Sequence, residues 1–321
     1  MRRFDTRARA MTALGVLTTT AAVAATQSAP AMAATPTPNT TSPISLKLAD
    51  RTLDYGDAVV ARGHVPGAGA GVAVVLEHRP RAGAWTPVAH GTTTTGGVFR
   101  MSAHVPRSGL LRVGLEQAAV AASGGTSRTA ASSRERSVRV AVHVTVTGTR
   151  TNVNQGATAR VAGRVRPAVA GRLVVLQRRA RGRWTTLARS HTHAGGRYTF
   201  AYRVRSAFSA PLRVRAAGAP ALAGGHHSAG RMNAFRPALA SWYDGGQALA
   251  CGGSLTPGMM GVANKSLPCG TMVTIRYRGR QVRVPVVDRG PYSGNREFDL
   301  GPGVRSALGF DGIGTVWVTS P

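Results

Sequence analysis

Apolar residues alternate with polar ones in short runs through most of this chain, and Gly, Pro and Thr break the runs. Such a period of two predicts strands rather than helices. The pattern also repeats itself. Gly56, Gly63, Val65 and Gly71 recur one hundred residues later as Gly156, Gly163, Val165 and Gly171, and VAVVLEHR (72–79) answers to RLVVLQRR (172–179). Trp85 matches Trp184, Gly96-Gly97-Val98-Phe99 matches Gly195-Gly196-Arg197-Tyr198, and Leu111-Arg112-Val113 matches Leu212-Arg213-Val214. An internal duplication with small changes in loop length accounts for the drift. Each copy predicts a small antiparallel β-sandwich of immunoglobulin-like type, with a thin core of Val, Ala and Leu and one Trp each.

Composition marks the boundaries. Residues 44–117 form the first repeat and 137–218 the second. Ala/Ser/Gly-rich stretches at 118–136 and 219–236 read as linkers, and 34–43 is a Pro/Thr/Ser linker. From 237 to 321 the pattern changes. Met272–Tyr277 and Val282–Val287 are β-rich runs joined by a hairpin turn at Arg278-Gly279-Arg280. Gly312–Val318 reads as a closing strand, with one short helix over Val304–Leu308. Trp317 is expected in the core. The whole chain is therefore expected to be all-β.

Two acids stand out in this last segment. Asp288 ends a β-branched run and Asp299 follows eleven residues later, on the far side of Arg289-Gly290-Pro291. Gly tolerates positive φ and Pro fixes its own, so a tight turn is expected between them. Paired carboxylates suit a division into general acid and general base. Phe298 and Leu300 flank Asp299, and apolar surroundings raise a carboxyl pKa, which makes Asp299 the expected proton donor. Each acid also has a structural reading, Asp288 as an acceptor for turn amides and Asp299 as a cap for the short helix.

The N-terminus sets the compartment. Arg2, Arg3, Arg7 and Arg9 precede an uncharged run, and Ala31-Met32-Ala33 supplies the small residues of a cleavage site, so residues 1–33 read as a secretory signal peptide. No transmembrane anchor is expected. Net charge is +29 for the whole chain. Loss of four Arg and one Asp with the signal still leaves a strongly basic protein, expected to be extracellular or cell-wall associated. Its charge suits anionic wall polymers, and export argues against nucleic acid. The repeats then read as spacers or as a cationic wall adhesin. Cys251 and Cys269 are most simply a disulfide in an exported protein, which would stabilise the domain by about 3 kcal/mol, with a free catalytic thiol as the other reading. His191, His193, His226 and His227 lack partners at ligand spacing, so no metal and no cofactor are expected.

Several short motifs in the last segment occur in one order. They are Ala240-Ser241-Trp242-Tyr243, Lys265-Ser266-Leu267-Pro268 with Gly270-Thr271, Asp288-Arg289-Gly290-Pro291-Tyr292, Asp299-Leu300 and Ala307-Leu308-Gly309. In this it resembles the double-psi β-barrel of the rare lipoprotein A (RlpA) family, kin to the first domain of expansins. The resemblance implies a six-stranded barrel that acts on peptidoglycan glycan strands, by lytic transglycosylation in one branch. That branch carries Glu, Asp and His where this chain has Gly253, Thr256 and Asn264, while Asp288 and Asp299 match. The expansin-like arrangement of a hydroxyl residue and two aspartates maps onto Ser241, Asp288 and Asp299. Tyr243, Asn264, Arg289 and Tyr292 are the implied substrate-binding residues, the tyrosines by stacking on sugar rings. Alternation along the strand is expected to bury one of Trp242 and Tyr243 and expose the other. Two readings stay open, an enzyme that cleaves or loosens the glycan and a non-catalytic wall-binding module.

Overall fold

Strand alternation in the first repeat gives β1 (Ser45–Leu48), β2 (Thr52–Asp54), β3 (Ala58–His64), β4 (Ala73–Pro80), β5 (Thr86–Thr92), β6 (Val98–His104), β7 (Gly109–Leu115) and β8 (Arg136–Ala141). They form two sheets, β1-β3-β6 and β2-β8-β7-β4-β5. The structure, a computed structural model, describes residues 44–116 and 131–319. The signal peptide, the 34–43 linker and much of the 118–136 linker lie outside the described residues.

The second repeat reproduces this plan with β9 (His143–Arg150), β10 (Asn152–Asn154), β11 (Thr158–Arg166), β12 (Leu173–Ala180), β13 (Arg183–His191), β14 (Arg197–Arg203), β15 (Phe208–Ala216) and β16 (Gly225–Trp242). Its sheets are β14-β11-β9 and β13-β12-β15-β16, with β10 on the far edge of β16. Each repeat is an Ig-like sandwich whose apolar positions point between the two sheets.

Two features depart from the pattern-based reading. The last strand of each repeat lies beyond the composition boundary: β8 falls almost wholly within the stretch read as the second repeat, and β16 begins within 219–236 and runs on to Trp242. Small residues disguised them, yet Val138, Val140, Ala229, Met232 and Ala234 are buried core. Trp85 and Trp184 are not core residues. Arg112 stacks on the first and Arg213 on the second, each 4.2 Å from the ring centroid. Phe99 with Met101, and Tyr198 with Phe200, fill the interiors instead.

β16 runs without interruption out of the second repeat. Up to Phe235 it pairs with β15 and β10, and from Arg236 it joins the last domain. There it meets β17 (Val262–Asn264), β18 (Met272–Tyr277), β19 (Arg280–Asp288), β20 (Phe298–Leu300), helix α1 (Pro302–Leu308) and β21 (Gly314–Val318). The strand order β16-β20-β17-β19-β18-β21 closes because β21 also pairs with β16, giving six strands and no free edge. Two pairings are parallel, β16 with β20 and β17 with β19. The β18–β19 hairpin turns on Arg278 and Gly279, both at positive φ, as a two-residue turn between twisted strands requires. Val316 and Val318 point into the barrel, and Trp317 between them is half-buried outside its core. No helix among the described residues is long and apolar enough to cross a membrane.

Candidate functional site

Strand register brings the two acids together. Ala263 on β17 is paired with Asp299 on one side and with Asp288 on the other. The carboxylates thus stand two strands apart, roughly 9–10 Å between Cα atoms at ordinary strand spacing. The residue between them carries only a methyl group. Ser241 extends the row by one strand, paired with Asp299 across β16 and β20.

Asp299 reaches this face by simple alternation, since Phe298 and Leu300 point into the barrel core. Asp288 does not. Val284 and Val286 are core residues, so strict alternation would send Asp288 inward. A β-bulge corrects this: Val262 pairs with Val286 and Ala263 with Asp288, which leaves Val287 as the extra residue. Bulges commonly re-aim a side chain in this way. Gly261 makes room for it, because a Cβ there would collide with the Val287 side chain.

The two acids differ in their partners. Asp299 Oδ1 accepts a hydrogen bond from the buried Ser241 hydroxyl at 2.7 Å. Burial raises its pKa above the ordinary aspartate value; the Ser241 bond and Arg296 oppose the rise, and the charge of Asp288 adds to it. Asp299 does not cap α1, whose N-cap is Gly301. Asp288 Oδ1 accepts the backbone N–H groups of Ala250 and Arg289, both at 2.8 Å. It therefore ties the 250 loop to the turn after β19.

Tyr243 lies beside both acids. Its hydroxyl is buried without a hydrogen-bond partner, and burial together with the charges of Asp288 and Asp299 pushes its pKa well up. A buried hydroxyl left unpaired beside two acceptors is a donor in reserve. Trp242 and Tyr243 are both half-buried, contrary to simple alternation, because β16 ends at Trp242. Arg305 covers the Trp242 ring at 3.8 Å.

The remaining candidates divide. Tyr292 is 78% exposed on the loop after Gly290, which takes φ +118°. Asn264 is buried, and its side chain serves the backbone: Nδ2 donates to Glu297 O, and Oδ1 accepts from Ser266 and Leu267 N–H. Arg289 points the same way, donating to Leu267 O at 2.9 Å and to Cys269 Sγ at 3.2 Å. Both brace the 264–269 loop. Cys251 and Cys269 form a disulfide, and no free cysteine remains. Gly253 has φ +79°, a conformation that penalises any side chain, so a Glu placed there would be strained. Among the described residues no cluster of His, Cys, Asp or Glu has the make-up of a metal site.

Sequence reading alone missed Ala250, Ala263 and the Val287 bulge, and also Arg236, which pairs with Glu297 through both carboxylate oxygens. The bulge carried the one available signal, a β-branched run too long for its acid to face outward.

Residues 237–320 match the family model described as lytic transglycolase. A probable endolytic peptidoglycan transglycosylase RlpA from Synechocystis is 32% identical over 96 residues, covering 28% of this chain and 30% of the relative. Its counterpart from Nostoc is 40% identical over 83 residues, covering 24% and 22%. The chain thus spans less than a third of the length of either relative. Among solved structures, Streptomyces papain inhibitor aligns with 24% identity over 27% of this chain and 94% of its own, with a TM-score of 0.23. A tandem-repeat region of a large adhesion protein aligns over 82% of this chain with 13% identity and a TM-score of 0.27. Closed barrel, ordered motifs and matched family coincide on the same residues: the segment 237–320 is an RlpA-like double-psi β-barrel domain.

Proposed function

We propose that this is an exported cell-wall protein whose barrel engages a peptidoglycan glycan strand across the Ser241–Asp299–Asp288 row and cleaves it by lytic transglycosylation. The observation that carries the reading is Asp299, a half-buried carboxyl that holds its proton above the usual range and faces a second acid across one alanine. Asp299 donates that proton to the bridging oxygen as the glycosidic bond breaks. The negative charge of Asp288 offsets the positive charge that develops on the sugar. The sugar's own exocyclic hydroxyl then closes on the anomeric carbon and returns its proton to Asp299, leaving an internal anhydro end with no water consumed. Tyr243 supplies a hydrogen bond and Tyr292 an exposed ring for stacking.

A second reading rests on Gly253 and Asn264, which hold loop geometry where the transglycosylase branch carries Glu and His. On it the barrel binds or loosens glycan without cleaving it. Digestion of purified peptidoglycan followed by mass spectrometry separates the two. Anhydro-muropeptides that disappear in Asp299→Asn support cleavage; intact sacculi that still pull the protein down support binding alone.

The raised pKa also sets a pH dependence. A proton donor of this kind works below its pKa, so cleavage declines as pH rises through a value above that of ordinary aspartate. Stability follows the same sign: the folded state binds the proton more tightly than the unfolded chain, so this contribution is full at low pH and is lost as pH rises through the folded pKa. Asp299→Asn removes that slope, measured as the pH dependence of the thermal midpoint.

A further inference from the structure

Not one acidic residue occurs between Glu135 and Asp244. The second repeat, 143–235, carries sixteen arginines against none. Its five-stranded sheet concentrates several of them on the outer face. Val174 and Leu176 of β12, and Leu212 and Val214 of β15, point inward, so Arg179, Arg213 and Arg215 point out. Register then sets Arg189 opposite Val175, Arg215 beside Val175, and Arg231 opposite Pro211.

Two of these arginines, Arg213 and Arg231, are held in place rather than neutralised. Arg213 stacks on Trp184 at 4.2 Å and donates Nε to Gln177 Oε1 at 2.9 Å. Arg231 donates to Ser209 Oγ at 3.3 Å. Burial lowers the pKa of Arg213 and of Arg231, and a like charge adds to each shift, Arg215 for the first and Arg283 of β19 for the second.

The same face of the first repeat carries carboxylates among its arginines. Glu77 stands where Gln177 does and pairs with Arg112 at 2.7 Å. Glu135 pairs with Arg79 at 3.2 Å, and Glu116 approaches His90 at 3.1 Å. Equivalent strands thus carry carboxylates among their arginines once and none the second time.

We infer that the outer face of the second repeat's five-stranded sheet is a docking site for a linear phosphodiester polymer without bases, of the poly(glycerol phosphate) type. Charge complementarity argues for a polyanion, and guanidinium groups pair well with phosphate. Arginines two apart on one strand lie roughly 7 Å from each other, a spacing that a flexible chain of phosphodiesters can match. Pre-positioned side chains lose little entropy on binding. Nucleic acid fits less well, because the aromatic ring of this face is already covered by Arg213 and offers no free platform for a base. Exposed arginines on the opposite sheet, such as Arg160, Arg197 and Arg203, add charge but lack these positioning contacts. The inference concerns the repeat and stands whether or not the barrel cleaves glycan.

Binding of the purified protein to deacylated poly(glycerol phosphate) tests it. The triple variant Arg189→Gln/Arg213→Gln/Arg215→Gln is expected to weaken binding at least about tenfold and to flatten its salt dependence. Arg62→Gln/Arg81→Gln/Arg100→Gln in the first repeat and Arg160→Gln/Arg197→Gln/Arg203→Gln on the opposite sheet remove equal charge and are expected to cost about threefold or less. Gln177→Glu deletes no contact yet places a carboxylate beside Arg213, so it is expected to weaken binding even if the triple variant is unstable. Equal losses in all three triple variants, or no loss in Gln177→Glu, overturn the assignment. Tighter binding to poly(dT) than to the glycerol polymer overturns the choice of ligand.

Discussion

The two repeats make a controlled comparison within one chain. Both build a three-stranded and a five-stranded sheet in the same order, and the apolar positions that face inward coincide. Their surfaces have diverged. The first repeat pairs Arg112 with Glu77 and Arg79 with Glu135, whereas the second contains no acid at all. Shared inward positions suffice to specify the sandwich, and outward charge is left free to acquire a separate task. Position, not composition, decides which residues do which.

If shared inward positions specify the fold, the same substitution should damage both repeats alike. Gly63 and Gly163 test this most severely. Each sits on a strand directly opposite an aromatic, Phe99 in one copy and Tyr198 in the other. A Cβ at Gly63 would collide with Ser45 O and the Phe99 ring, and one at Gly163 with Thr145 O and the Tyr198 ring. Backbone oxygen cannot step aside cheaply. Gly63→Ala and Gly163→Ala are each expected to cost about 3 kcal/mol of stability, read by chemical denaturation. A clear inequality between them would break the equivalence of the two cores.

The same logic explains what was legible in the sequence. The sandwich class and the strands at Met272–Tyr277 and around Val282–Val287 follow from period-two patterning, the duplication from matched positions one hundred residues apart, and the barrel from its resemblance to the RlpA family. The last strand of each repeat did not, because β8 falls almost wholly in the stretch read as the second repeat and β16 begins where composition suggests a linker. Trp85 and Trp184 misled for a related reason: large aromatic rings suggest core, yet a guanidinium lid makes a surface position acceptable. At the candidate site, the paired aspartates and Ser241 were visible as motif positions. Ala263 and the Val287 bulge were not, since their roles come from pairing between strands far apart in sequence. Asn264 and Arg289 hold the neighbouring loop through backbone carbonyls and amides, contacts that the motif positions gave no sign of.

A smaller difference lies inside the cores. Tyr198 keeps a hydroxyl that donates to Thr145 O at 2.8 Å, while Phe99 in the equivalent place has none. Tyr198→Phe converts the second core to the first and leaves the carbonyl of an edge-facing residue short of a donor. A loss of about 1 kcal/mol is expected in denaturant unfolding, with strand pairing unchanged by circular dichroism. A loss as large as that of Gly163→Ala would mean that the hydroxyl, and not the ring, organises this end of the sandwich.

The smallest expected effect bears most directly on the surface comparison. Glu77→Gln makes the first repeat resemble the second at the position that matters for charge. Arg112 would remain stacked on Trp85 but lose its carboxylate partner. The pair is partly exposed, so the stability cost is expected to be only about 0.5 kcal/mol. Arg112 and Arg79 lie on the same ring of Trp85, so one freed guanidinium opens a small cationic spot next to a second that Glu135 still holds. Affinity for poly(glycerol phosphate) is therefore expected to rise by about twofold, far less than Gln177→Glu lowers it. The asymmetry is the informative part. A single freed arginine among remaining carboxylates adds little, whereas a single carboxylate placed among pre-positioned arginines removes much, because the polymer must bridge several of them at once. Equal and opposite changes would show that affinity follows net charge alone and that the layout of the second repeat contributes nothing.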